Sequence, residues 1–292
     1  MNELFSPISI RKTVIKNRIV MPPMVCPGFT GEDGMVTLKN AERYRDRARG
    51  GVGLIIIEAT CINKSGRLSH HQLGLWSDDQ IKDFSRIADY CHEYDTKVLA
   101  QIHHAGLAVA AGVTEDPVAP SEFQGVSRSN QNIRARALTL AEITKLQDEY
   151  VTAALRAQQA GVDGILALPP YYPNADDEGL ADYYAAIGAA TPLGLFVYRR
   201  DWVMPSPEWV EQSAARVPTL IAWKDGQGDT VRYQQIIDRV GDRLYWIGGA
   251  GDACVPAYYR IGGTYTSSIA TVAPKLSLRL HELPGIPPRL PS

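Results

Sequence analysis

The stretch Ala160-Gly161-Val162-Asp163-Gly164-Ile165-Leu166-Ala167-Leu168-Pro169-Pro170-Tyr171-Tyr172 decides the fold, because a helix ends in it and a buried strand begins. Gly161 stands where a glycine closes a helix, and 164–168 (GILAL) is a short apolar run of the kind buried on both faces of a parallel sheet. Working outward, the same alternation recurs on both sides. Upstream, apolar runs stand at 17–21 (NRIVM), 52–59 (VGLIIIEA) and 97–102 (KVLAQI), separated by helical patterns at 37–49 and 78–94. In the second of these helices Ile81, Phe84, Ile87, Ala88 and Cys91 recur at helical spacing behind Asp78 as the expected cap. Thr139-Leu140-Ala141-Glu142 reads as the capping box of the long helix that ends at Gly161.

Downstream, strands are expected at 194–198 (GLFVY), 220–224 (LIAWK), 244–248 and 264–269, with helices from Ser206-Pro207, over 229–240 and over 253–261. Eight strands alternating with helices give an α/β chain folded as a single (β/α)8 TIM barrel. Residues 106–137 are polar and contain Gly and Pro, which reads as a long loop over the active site. The Pro-rich end at 284–292 reads as a tail.

At 292 residues, 45% hydrophobic and 21% charged, the chain can bury a full core. A net charge of −2 argues against nucleic acid or an anionic membrane as partner and for a small-molecule substrate, with the oligomeric state left open. Cys26, Cys61, Cys91 and Cys254 have no CxxC spacing, so neither a disulfide framework nor a metal site is expected. With no signal-peptide pattern and no apolar run near the ~18 residues that cross a bilayer, a cytoplasmic protein is expected.

Barrel chemistry sits at the C-terminal ends of the strands. In the first half those ends are Pro22-Pro23-Met24, Ala59-Thr60 and Gln101-Ile102-His103-His104. The segments LFSPISI (4–10), NRIVMPPM (17–24), RARGGVGLIIIEAT (47–60), GRLS (66–69), LGLWSDDQI (73–81) and QIHHAG (101–106) resemble the old yellow enzyme family of FMN-dependent reductases. The resemblance implies that Pro23, Met24, Ala59 and Gln101 line the flavin ring, the Gln101 amide suiting its pyrimidine edge because it both donates and accepts. Two features of that family are missing: strand four ends in Leu168-Pro169-Pro170-Tyr171 instead of a substrate-holding His pair, and Cys26 is one residue displaced from the flavin-tuning position. Adjacent residues on a strand face opposite ways, so at most one of His103 and His104 enters the mouth, and structural roles are expected for both.

In the second half, Lys224 ends an otherwise apolar strand. Burial there favours a neutral amine, the nucleophile that forms an imine with a carbonyl; the alternative is a lysine paired with Asp225 or Asp229 or reaching solvent. The segments LPPYY (168–172), EGL (178–180), GLFVYRRD (194–201), LIAWKDGQGD (220–229), WIGGAGD (246–252) and TYTSSIATVAP (264–274) resemble the dihydrodipicolinate synthase family, in particular its 5-dehydro-4-deoxyglucarate dehydratase branch. That resemblance implies Lys224 as Schiff-base lysine and Tyr198 as proton relay. The family's carboxylate-binding turn after strand two is absent, which leaves Thr60, Arg199 or Arg200 as candidate clamps for a substrate carboxylate. Gly248, Gly249, Ser267 and Ser268 stand where barrels often hold a phosphate.

The two resemblances divide the barrel into a flavin-oxidoreductase-like half at 1–163 and a Schiff-base-aldolase-like half at 164–283, as in an engineered or recombined chimera. Three functions follow from the residues: an FMN-binding oxidoreductase with weakened turnover, a Lys224 lyase acting on a 2-keto acid, or a folded scaffold with neither activity.

Overall fold

The computed structural model describes residues 5–10, 12–126, 132–169, 176–200 and 203–266. Its core is one sheet of eight parallel strands: β1 (Val20–Met21), β2 (Leu54–Cys61), β3 (Lys97–His103), β4 (Gly164–Ala167), β5 (Gly194–Arg199), β6 (Leu220–Asp225), β7 (Tyr245–Gly248) and β8 (Thr264–Tyr265). Neighbours in the sheet are neighbours in the chain throughout. The sheet is curled, since Val20 at one edge and Thr264 and Tyr265 at the other wall the same small cavity at the base. Sequence alternation and the β8-to-β1 approach together make a (β/α)8 barrel.

The helices form the outer layer: α1 (Leu38–Arg49), α2 (Asp79–His92), α3 (Leu140–Gln159), α4 (Asp177–Ala190), α5 (Pro207–Arg216), α6 (Thr230–Val240) and the short α7 (Val255–Arg260). Their starts follow from local chemistry. Thr37 with Asn40, and Thr139 with Glu142, form reciprocal capping boxes, and Ser206 caps Trp209 N–H with Pro207 in the first turn. Gly161 at φ 83° closes the long helix, a conformation that a Cβ disfavours. Asp78 departs from expectation, for its side chain makes no cap bond. Gln80 instead fixes the chain that enters the helix, its Oε1 accepting from the N–H groups of Trp76 and Ser77.

Two apolar layers result. Between sheet and helices lie Tyr44, Phe84, Ile57, Ala153, Trp223, Tyr233 and Tyr258, among others. Inside the barrel lie Leu54, Ile56, Leu99, Leu166, Phe196, Ala222 and Ile247, with Ile10 and Ile15 from an N-terminal hairpin (Ile8–Ile10 against Thr13–Ile15) filling the base. The all-buried run LIIIEATC of β2 shows why such strands read as continuous apolar stretches. The hairpin is an element the sequence reading passed over. Residues 106–137 also differ from the expected loop, because they hold the short strands Val118–Ala119, Phe123–Val126 and Asn132–Ala137 in a separate three-stranded sheet. Arg136 ties that sheet to the barrel wall by pairing with both Asp116 and Glu142.

Candidate active site at the barrel mouth

Strand alternation sets which side chains reach the mouth. Above the filled interior, the next inward positions are Gln101 on β3, Leu168 after β4, Tyr198 on β5 and Lys224 on β6. The phase of β6 is adjusted by a register shift against Leu195/Phe196, after which Ala222 and Lys224 face in while Trp223 and Asp225 face out. Tyr198 and Lys224 are direct cross-strand partners, and Lys224 also pairs in register with Ile247 of β7.

Lys224 is only 4% exposed, and its Nζ lies 4.2 Å from the centroid of the Tyr198 ring. Among the described residues it makes no hydrogen bond or ion pair. Burial first, and the nearby Arg200 guanidinium second, push its amine down to about 8. The Arg200 Cζ stands 6.0 Å from the same Tyr198 centroid, so two cationic side chains share one ring. Neither acid that would make Lys224 an ordinary paired lysine is available to it. Asp229 caps α6, accepting from Arg232 N–H. Asp225 turns away, where its carboxylate meets the Arg199 guanidinium at 3.2 Å and accepts the Tyr258 hydroxyl at 2.7 Å and the Gly228 N–H at 3.0 Å.

That outward network corrects two expectations about substrate binding. Arg199 is fully buried on the outer face of β5, paired with Asp225 at 3.2 Å and donating to Met204 Sδ, so its guanidinium is on the helical side of the sheet and not at the mouth. Thr60 is also fully buried, and its hydroxyl donates to the Glu58 carbonyl within its own strand. Of the candidate clamps Arg200 alone stands at the mouth. The sequence reading considered Asp225 only as a partner for Lys224 and gave Tyr258 no role. Strand parity carried that signal, since side chains adjacent to Tyr198 and Lys224 must face the helices.

On the other side of the mouth, Ala59 and Gln101 are each 4% exposed, and Met24 is 41% exposed in the loop after β1 together with the half-buried Pro23. The Gln101 carboxamide makes no hydrogen bond among the described residues. Cys26 faces away: its N–H donates to the Glu58 carboxylate, and its thiol lines a groove against α1. His103 is fully buried, with Nε2 2.5 Å from the Gln72 amide nitrogen, and burial pushes it down to about 3. Burial likewise holds His104 at about 4, with Nδ1 accepting the Gly106 N–H. Both are neutral and serve the framework.

The glycines after β7 are accounted for by packing. A Cβ on Gly248 would meet the Tyr258 ring at 2.2 Å, and one on Gly249 would meet Lys224 Cε at 2.6 Å. The Gly249 N–H already donates to the Asp225 carbonyl at 2.6 Å, so it is not free to hold a phosphate. Ser267 and Ser268 lie outside the described residues.

Residues 3–167 match the NADH:flavin oxidoreductase / NADH oxidase family. The chain belongs to that family. Residues 144–283 also match the dihydrodipicolinate synthetase family, so the two matches overlap on α3 and β4 instead of meeting at a point. Among curated flavin oxidoreductases, NADPH dehydrogenase of Bacillus cytotoxicus is 37% identical over 163 residues, 56% of this chain and 46% of its own length. NADH oxidase of Thermoanaerobacter brockii is 42% identical over 165 residues, 56% of this chain and 25% of the oxidase. The chain thus spans less than half the length of these relatives. Solved structures extend the likeness of fold beyond the matched segment. The old yellow enzyme homologue of Zymomonas mobilis superposes with TM-score 0.75 at 23% identity, covering 99% of this chain and 95% of that one. Morphinone reductase, solved with tetrahydroNAD, gives 0.75 at 18% identity over 99% and 92%. Among the described residues no helix is long and apolar enough to cross a membrane.

Proposed function

We propose that this chain is a barrel of two ancestries, joined by engineering or recombination, whose mouth binds the ring of FMN as a flavin oxidoreductase with weakened turnover. One barrel occupies 1–292, with a flavin-oxidoreductase-like half at 1–163, a Schiff-base-aldolase-like half at 164–283 and a tail at 284–292. The observation that carries the flavin reading is Gln101: a buried carboxamide at a strand end, with no hydrogen bond among the described residues, is matched to a ligand edge that presents both donors and acceptors. Pro23, Met24 and Ala59 would contact the ring, and when bound the flavin supplies hydride transfer. The phosphate end has weaker support, because the Gly249 N–H is spent within the protein. Weak binding and slow turnover follow. The test is the visible spectrum of the purified protein with and without added FMN. Flavin absorbance that co-purifies or is retained on gel filtration supports the reading, and a colourless protein that ignores FMN overturns it.

A second reading rests on Lys224. A buried amine at about 8 against a tyrosine ring is set up to attack a carbonyl carbon, with Tyr198 carrying the proton given up by the nitrogen to the hydroxyl that departs as water. Borohydride trapping with pyruvate is expected to add the reduced adduct to the peptide carrying Lys224. A protein with neither flavin nor adduct is a folded scaffold without parental activity.

A further inference from the structure

Tyr198 and Lys224 are direct partners on the parallel strands β5 and β6, so their side chains leave the sheet side by side on its inner face. A lysine so placed can run past the ring to the mouth or turn over it. Here it turns: Nζ lies over the Tyr198 ring, 4.2 Å from the centroid, and the amine makes no hydrogen bond or ion pair among the described residues. The Tyr198 hydroxyl is therefore not what holds it. Close backbone approach fixes both partners. A Cβ on Gly226 would stand 2.7 Å from Tyr198 Cε2 and 3.0 Å from its Oη, and one on Gly249 would stand 2.6 Å from Lys224 Cε and 3.2 Å from its Cγ.

The face of an aromatic ring is electronegative, so it attracts an ammonium and has no such hold on a neutral amine, the more so where water is excluded. Burial and the field of Arg200, which follows β5, both favour loss of the Lys224 proton. On β6 itself Asp225 lies on the outer face with Arg199, and β7 presents Ile247 in register. The Tyr198 face is the contact that favours keeping the proton.

We propose that Tyr198 positions Lys224 through its ring, as a proton-gated rest: the ammonium is parked on the ring face, and loss of its proton to solvent frees the amine to turn to the mouth. The nucleophile is thus released in the state in which it can react. This role is separate from proton transfer by the hydroxyl. It stands without an imine, since it concerns the amine before any carbonyl arrives.

The test titrates Lys224 in the full chain by competitive acetylation with acetic anhydride from neutral to alkaline pH, read on the Lys224 peptide against the N-terminal amine. Tyr198→Phe removes the hydroxyl and keeps the ring, and is expected to leave the midpoint where wild type has it. Adding one, two and three fluorines to that phenylalanine withdraws charge from the face at nearly constant size. The midpoint is expected to fall stepwise, by about one pH unit in all. A midpoint that fluorination leaves in place or raises overturns the proposal. So does a Tyr198→Phe shift as large as that of the full fluorine series, which assigns the hold to the hydroxyl. Wild type gives a second answer without any variant. Its Lys224 ε-methylene protons, lying over the ring face, are expected to resonate upfield of those of the other lysines at neutral pH and to return toward them as pH passes the midpoint. An unshifted signal, or one that ignores pH, overturns the proposal. Because no keto acid is added, failure of borohydride trapping leaves this result standing or falling by itself.

Discussion

Strands β2 and β6 lie on opposite sides of the ring, one in each family segment, and they solve the same problem with similar parts. Each has a register shift, late in β2 between Ile57 and Thr60 and at the start of β6 between Leu220 and Ala222. Each carries an outward carboxylate bonded to a tyrosine of the helical layer, to an arginine and to loop N–H groups: Glu58 with Tyr44, Arg43 and Cys26 N–H, and Asp225 with Tyr258, Arg199 and Gly228 N–H. The difference lies in the arginine. Arg43 comes from α1 and stands 3.7 Å from Glu58, whose carboxyl burial pushes above the usual carboxylate range. Arg199 comes from the neighbouring strand, 3.2 Å from Asp225, with both side chains fully buried. Glu58 is held mainly by neutral donors, whereas Asp225 is one partner of a buried ion pair, and removing one such partner strands the other. The inward neighbours differ accordingly: Ala59 leaves a smooth wall, and Lys224 places a reactive amine.

The sharpest test of that contrast is Lys224→Met, expected to abolish the borohydride adduct completely by peptide mass, while Gln101→Leu leaves the adduct intact. Next, Asp225→Asn should cost about 3–5 kcal/mol in urea unfolding, because it strands a buried Arg199, against under about 1 kcal/mol for Glu58→Gln. Equal costs would break the comparison. Third, Lys224 sits at about 8 in the folded chain against an ordinary 10.5, so the unfolded chain binds the extra proton between those values. Stability therefore rises with pH across that window, by ~3 kcal/mol in wild type relative to Lys224→Met, as denaturation midpoints at both ends would report. The smallest effect is on the other rim. Gln101→Leu should weaken FMN binding about tenfold, the worth of one or two hydrogen bonds, measured by flavin fluorescence titration.

The barrel itself was legible because parallel strands buried on both faces leave apolar runs that survive without context, as in 52–59 and 220–224. Lys224 stood out for breaking such a run. The supporting shell did not, since RRD at 199–201 and KD at 224–225 look like surface charge until strand parity turns Arg199 and Asp225 against the helices. The small sheet within 106–137 escaped notice because its strands FQGV and NIRARA are half exposed and polar, held by Arg136 more than by any core. The N-terminal hairpin was passed over for its brevity, although ISI and TVI around Arg11-Lys12 alternate in the manner of strands.

That hairpin gives the barrel a direction of traffic. With Ile10 and Ile15 wedged among Leu54, Ile56, Phe196 and Ile247, the end remote from Lys224 is stoppered, and the residual hollow there is small, about 30 Å³. Any solute that visits the amine must enter and depart over the loops of the opposite end, displacing solvent along the same route. Exchange at Lys224 is thus governed by the loops above it, which come from both of the matched segments.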